Sequence, residues 1–221
     1  MIEKGFSVYS QFGEDGIIQY LIKMLGLTNN QCCEVGMSGT LFSNTYNLVE
    51  NFNWYGVYIE KDKKNFDSII LGHHLNVEVE TYGHNLLDNI LVNTKLDTNF
   101  DLLSIDVDGK DYHIWSSLIK YNPNIVIIEV NPFIEPTKEY INNGTIFGSS
   151  FKSIVELGNK KGYTLVCMTG NLIFVKTELL YNTELEIFIE KNSTSLFLYD
   201  AIMIDKKQIS FSRYIKKNKL I

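Results

Sequence analysis

An α/β fold built on an open, mostly parallel sheet with helices on both faces is what this sequence predicts, and three observations carry the prediction. Strand-like and helix-like runs alternate five times along the chain. The strand-like runs are short and continuously apolar, above all Ile125-Val126-Ile127-Ile128, as expected of strands covered on both faces. The alternation ends in two strand-like runs around Thr169-Gly170-Asn171, a turn signal for an antiparallel hairpin.

Each element follows from its local pattern. Between residues 13 and 27 the apolar positions Ile17, Ile18, Leu21, Ile22, Met24 and Leu25 recur at helical spacing, and Gly26 supplies a stop. Residues 31 to 35 read as a short buried strand, 43 to 52 as a helix carrying Tyr46, Leu48 and Val49, and 55 to 60 as a second strand. A weaker extended run at 76 to 80 precedes a helical pattern at 85 to 92, and His73-His74 is expected in a solvated connection. Residues 101 to 106 form a buried strand, 111 to 120 a helix, 124 to 130 the next strand, and 151 to 161 a helix ended by Gly162. The hairpin strands are 163 to 168 and 172 to 176.

Size and composition narrow the class. At 221 residues and 45% hydrophobic, the chain can bury one substantial core without requiring a second domain. A formal charge of −6 and a pI of about 5.3 oppose the long-range attraction that nonspecific nucleic-acid binding needs. Cys32 and Cys33, neighbours in a strand-like run, point to opposite faces and are expected as packing residues in a reducing cytoplasm. The first fifteen residues carry no apolar signal core, and no apolar run is long enough to span a bilayer.

The strand ends carry the chemistry. Glu34, Glu60, Asp106 and Glu129 each close an expected strand, on the edge where open α/β sheets bind ligands. A single strand-terminal carboxylate is more often a helix cap, but four at successive strand ends are harder to assign that way. The first turn, Glu34-Val35-Gly36-Met37-Ser38-Gly39, is E-x-G-x-x-G rather than the G-x-G-x-x-G that accommodates a pyrophosphate. With Glu60 placed to hold ribose hydroxyls, the pattern points to S-adenosylmethionine rather than to a dinucleotide.

An ordered series of motifs extends that reading: Ser10-Gln11-Phe12-Gly13-Glu14-Asp15, Glu34-Val35-Gly36, Tyr58-Ile59-Glu60, Leu103-Ser104-Ile105-Asp106-Val107-Asp108-Gly109-Lys110-Asp111-Tyr112, Val126-Ile127-Ile128-Glu129-Val130-Asn131-Pro132, and Gly148-Ser149-Ser150 before a helix. In this series the chain resembles Class I S-adenosylmethionine-dependent methyltransferases, and more narrowly their FkbM-like branch, many of whose members act on sugars and other natural-product hydroxyls. The resemblance covers roughly residues 8 to 176. It implies a Rossmann-like, doubly wound, seven-stranded sheet in the order 3-2-1-4-5-7-6 with an antiparallel terminal strand. Residues 1 to 178 are expected as the methyltransferase domain, and residues 179 to 221, beyond the resemblance, as an extension packed on it or at an oligomer interface.

The resemblance assigns roles to positions. Glu34 and Gly36 are expected at the methionine end of the cofactor, Glu60 and neighbouring Lys61 at its ribose, Asn85 at adenine, and Gln11 over the pocket. For Glu60 the bland alternative is an ion pair with Lys61, Lys63 or Lys64; for Asn85 and the segment from Ser10 to Asp15 it is helix capping.

Asp106, Asp108, Glu129 and Asn131 are the most reactive group in the sequence. Residues two apart on an extended segment share a face, so these oxygens are expected together, where they suit Mg²⁺ or a similar hard cation. Such a cation would bind two substrate oxygens and acidify the hydroxyl to be methylated. Without metal, Asp106 or His113 is the expected general base. A turn with a helix cap accounts for Asp108 and Asp111 but not for Asp106 and Glu129.

The long connection from residue 132 to 148 is expected to be a substrate lid, and the basic residues Lys206, Lys207, Arg213, Lys216, Lys217 and Lys219, with Phe211 and Tyr214, either a solvated terminal helix or an anion-binding arm. Trp54, Tyr55 and Trp115 are candidates for a pocket wall, but large aromatics are buried for packing far more often. The expected function is O-methyl transfer from S-adenosylmethionine to a hydroxyl of a small molecule, a carbohydrate or nucleotide-sugar before others; the alternative is a non-catalytic binding or assembly subunit with the same fold. The expected partner is the small acceptor, with a second copy of the chain as an option and no nucleic acid.

Overall fold

The computed structural model describes residues 4 to 144, 147 to 191, 201 to 204 and 207 to 210. Strands β1 (Gln31–Val35), β2 (Tyr55–Glu60), β3 (His73–Asn76), β4 (Leu102–Ile105), β5 (Ile125–Glu129), β6 (Tyr163–Met168) and β7 (Asn171–Lys176) form one seven-stranded sheet in the order β3-β2-β1-β4-β5-β7-β6. All neighbours are parallel except at β7, which runs antiparallel to both β5 and β6. The expected order and the antiparallel strand are therefore both present. Because Val35 pairs with Ile59 and Ile105, and Ile105 with Ile128, the carboxyl ends of the parallel strands are level along one edge. The tight β6–β7 turn falls on this edge too, since β6 runs in the same direction as β5.

Alternate residues of each strand feed two cores, one on each face. Cys33, Val35, Ile59, Leu103, Ile105, Val126 and Ile128 pack with helices α3 (Leu87–Leu91), α4 (Asp111–Ser117) and α5 (Phe151–Lys160). Cys32, Tyr58, Leu102, Ile127 and Ile173 pack against α1 (Glu14–Leu25) and α2 (Tyr46–Phe52) on the other face. The adjacent cysteines thus go to different cores, both fully buried, as period-two alternation requires. Trp54 and Trp115 are core residues, and Tyr55 Oη meets His73 Nδ1 at 3.1 Å. None of the three lines a cavity at the strand ends.

Several elements differ from their expected bounds for identifiable reasons. The third strand is 73 to 76 rather than 76 to 80, so His73 and His74 are half-buried strand residues and not a solvated loop. Its position is set by pairing Val57 with His73 through Glu60 with Asn76; an edge strand with one partner tolerates this polar content. The His74 ring stacks on Phe66 at 4.9 Å. Helix α2 starts at Tyr46, because the residues before it are bound to Glu34. Helix α4 stops at Ser117, beyond which Asp88 accepts the backbone N–H groups of Ile119, Lys120 and Tyr121.

Beyond the sheet, Leu180 and Leu185 join the second core, and helix α6 (Glu184–Lys191) is followed by a separate antiparallel pair, β8 (Ala201–Ile204) and β9 (Lys207–Ser210). Lys207 opens β9; Lys206, Phe211, Arg213, Tyr214, Lys216, Lys217 and Lys219 lie outside the described residues. Among the described residues no helix is long and apolar enough to cross a membrane.

Candidate active site

Two cavities open at the carboxyl edge, and one residue lines both. The first, of about 400 Å³, lies over the ends of β1, β2 and β4; the second, of about 330 Å³, lies between the end of β5, the β6–β7 turn and the N-terminal segment. Asp106, one residue past β4, belongs to each.

The first cleft is built on the β1 turn. Gly36 takes φ 90°, and a Cβ there would lie 1.7 Å from the Asp106 carbonyl oxygen. The glycine therefore lets the β1 and β4 ends approach, with Asp106 donating its N–H to the Val35 carbonyl at 2.9 Å. Glu60 reaches the cleft at 8% exposure, its Oε1 accepting the Asp62 N–H at 2.8 Å. The four ion pairs among the described residues do not include Glu60. Lys61 lines the same cleft, as do Glu78 and Lys110, paired at 2.8 Å. Altogether five carboxylates (Glu60, Asp62, Glu78, Asp106, Asp108) face two lysines there, a balance that suits a cationic ligand and not a pyrophosphate.

Glu34 is not in that cleft. Its carboxylate is 5% exposed and accepts from Ser43 Oγ and Thr45 Oγ1, each at 2.6 Å, and from the backbone N–H groups of Asn44 and Thr45, each at 3.2 Å. Burial raises its pKa, and those donors pull it back. Glu34 does not line the cleft in which it is expected to meet the methionine end: strand alternation turns it to the face of α2, whose entry it anchors. Asn85 lines neither cavity; its carbonyl accepts the Glu80 N–H at 2.9 Å. The expected cap at α3 falls instead on Leu86, without a side-chain bond.

The second cavity holds the carboxylate pair. Asp106 is exposed to solvent at the mouths of the cavities; desolvation by the protein around its carboxylate, then the charges of Asp111, Asp108 and Glu34, push its pKa up to about 7. Glu129, half-buried, is pushed up to about 8, first by burial and then by Asp106, Asp111 and Asp108. Its Oε2 is buried and meets no hydrogen-bond partner among the described residues.

The third carboxylate is Asp111 rather than Asp108. Asp106, Asp111 and Glu129 each bring a carboxylate oxygen to within 4.8 Å of the others. Extended geometry ends at Ile105, and left-handed backbone at Asp108 (φ 54°) and Gly109 (φ 102°) carries Asp108 toward the first cleft. Asp111, 1% exposed at the start of α4, turns back, its oxygens accepting the N–H groups of Val107 (2.8 Å) and Gly109 (3.0 Å). Asn131 also leaves the group: its Oδ1 accepts the Phe133 N–H at 3.0 Å. His113 lines neither cavity; its Nε2 meets Asn143 Oδ1 at 2.7 Å, which braces the connection after β5.

Gln11 lines the second cavity rather than the first, beside Phe12. The segment around it is capped as well: Asp15 Oδ2 accepts the N–H groups of Val8, Tyr9 and Ser10 at 2.8–2.9 Å, and Ser10 Oγ accepts the Asp15 N–H at 3.0 Å. Phe42, Phe133 and Phe147 complete an aromatic rim, with the Phe133 and Phe147 rings edge to face at 5.3 Å. Thr169 and Asn171 are expected from sequence only as hairpin-turn residues, although a turn after a strand parallel to β5 necessarily lands on this edge.

No family profile matches the chain, and no characterised protein matches it in sequence. Among solved structures, the pyocyanin biosynthetic protein PhzM aligns over 72% of this chain and 54% of its own, at 11% identity and a TM-score of 0.41. The chain thus spans about half the length of PhzM. A SAM-dependent methyltransferase from Aquifex aeolicus aligns over 71% of this chain and 86% of its own, at 11% identity and a TM-score of 0.38.

Proposed function

We propose that the protein is an S-adenosylmethionine-dependent O-methyltransferase of the FkbM-like type, acting on a hydroxyl of a small molecule, a sugar or sugar derivative before others. The observation that carries the reading is the position of Asp106, shared by a cleft suited to a cationic nucleoside and a separate cavity with a second carboxylate. A group transfer between two ligands needs such a junction.

In this reading Glu60 accepts from the ribose hydroxyls, and the acidic lining of the first cleft favours the sulfonium charge. The acceptor hydroxyl enters from the second cavity and is held about 3 Å from the methyl carbon, so that positioning supplies much of the rate. Asp106, with its pKa up at about 7, takes the hydroxyl proton. Glu129 stands beside it, and the pair titrates as a unit sharing a proton near neutrality. Glu34, Asn85 and His113 have no step in this scheme. Residues 1 to 178 form the catalytic domain, and 179 to 221 an extension of it.

A second reading adds a divalent cation such as Mg²⁺, favoured by the three carboxylate oxygens within 4.8 Å. Asp106, Asp111 and Glu129 would hold it, and it would supply Lewis acidity to the acceptor hydroxyl. Calorimetric titration with S-adenosylhomocysteine tests the reading at its base: saturable binding that weakens in Glu60→Gln supports it, and no binding favours an assembly subunit. Transfer that survives EDTA unchanged removes the cation.

A further inference from the structure

The second cavity has a chemical character that the proposed reaction does not require. Among the described residues its only charged lining groups are Asp106 and Glu129, with no lysine, arginine or histidine beside them. Behind its wall lies another carboxylate: Glu14, 0% exposed, accepts from Thr169 Oγ1 at 2.5 Å and Asn171 Nδ2 at 3.3 Å. The first cleft does contain lysines, Lys61 and Lys110, so among the described residues basic side chains lie near the edge but not in this cavity.

The remaining surface is aromatic and presented outward. Phe42, Phe133 and Phe147 are 61%, 63% and 42% exposed, unusual for a residue type that normally buries. Phe12 is held against the hairpin turn, where a Cβ on Gly170 would lie 2.1 Å from its ring. Ring faces carry the negative part of the aromatic quadrupole, so they attract cations and the apolar faces of flat rings and repel anions. Rim and floor therefore discriminate in the same direction.

We infer that the part of the acceptor entering this cavity is a flat-faced ring that is uncharged or positively charged, and that any phosphate or carboxylate on the acceptor stays outside. The inference rests on reading the second cavity as the acceptor site. It separates the two acceptor types considered from the sequence: a free or glycosidic sugar lays its apolar face on the rim, whereas a nucleotide-sugar must keep its diphosphate beyond Phe133.

The test uses three probes of one shape, phenethylamine, 2-phenylethanol and phenylacetate, titrated into the full chain at pH 7.5 without cofactor. Amide shifts of Val130, Thr169 and Gly170 report occupancy. The amine and the alcohol are expected to move these resonances, with phenylacetate at least about tenfold weaker than the alcohol, because like charges set together in a partly buried site are strongly disfavoured. In the double variant Asp106→Asn, Glu129→Gln that gap is expected to shrink to within about threefold. Phenylacetate binding as well as the alcohol, an unchanged gap in the double variant, or no shift with any probe would each overturn the inference. Methyl transfer plays no part in the measurement, so failure of the cofactor reading shows separately, as absent S-adenosylhomocysteine binding.

Discussion

The carboxyl-end regions of β1 and β5 each carry a glutamate, Glu34 level with Ile127 and so two residues deeper in the sheet than Glu129, and the two have opposite fates. Glu34 has four donors around its carboxylate, all from the three residues leading into α2, and is used up holding the helix entry. Glu129 has a buried oxygen with no partner among the described residues and three carboxylates pressing on its ionisation. A buried carboxylate that is fully satisfied builds structure, whereas one left unsatisfied among like charges is poised for proton transfer. Depth in the strand and the supply of local donors, not the residue type, separate the two.

The largest expected effect falls on the β4–β5 side. Asp106→Asn removes the proposed base and should lower kcat by roughly 10²–10⁴-fold, while S-adenosylhomocysteine affinity by calorimetry changes much less and the melting temperature does not fall. A variant with near wild-type turnover would break the assignment of chemistry to this end.

On the β1 side the effect should be on stability. Glu34→Ala orphans the Ser43 and Thr45 hydroxyls and two backbone donors, a loss of about 3 kcal/mol. Thermal denaturation should show a melting temperature lower by on the order of 6–12 °C. If Glu34→Ala melts normally but no longer binds cofactor, the comparison is wrong at its root.

Glu60→Gln sharpens the contrast from the cofactor side, since in the proposed reading it removes charge from the hydrogen bonds to a ribose diol. About a tenfold loss of S-adenosylhomocysteine affinity is expected, with little change in melting temperature.

The smallest effect is in pH dependence. Asp106 and Glu129, with pKa values raised to about 7 and about 8, hold protons in the folded state that the unfolded chain has already released. Their contribution to stability therefore declines as pH rises from the ordinary carboxylate range through about 8. Glu129→Gln cannot ionise, so its melting temperature should gain on wild type at pH 9 and the gain should vanish at pH 4. Wild-type turnover should rise through the same interval as the pair loses its shared proton. A constant melting difference across pH would show that the crowding of charge is not felt.

Much of the architecture was legible in the sequence because its causes are local. Continuous apolar runs, helical spacing ended by Gly26 and Gly162, and the turn at Thr169-Gly170-Asn171 gave strands, helices and hairpin within a few residues. The third strand was displaced because an edge strand's position depends on its one neighbour more than on its own polarity. The site was less legible. Glu60, Asp106 and Glu129 reach the cavities as expected, but Asp111 replaces Asp108 because two left-handed residues end the strand alternation that the expectation assumed. His113 is turned toward Asn143, a partner thirty residues away.

By itself, then, the sequence determined the order of elements, the apolar faces and the row of acids along one sheet edge, since propensity and periodicity act over a few residues. Only the tertiary structure decided which acids are spent and which face a cavity. That outcome depends on donors and rings from distant segments, as where Glu14 meets Thr169 across 155 residues and Phe12 closes on Gly170, and no local pattern encodes such meetings.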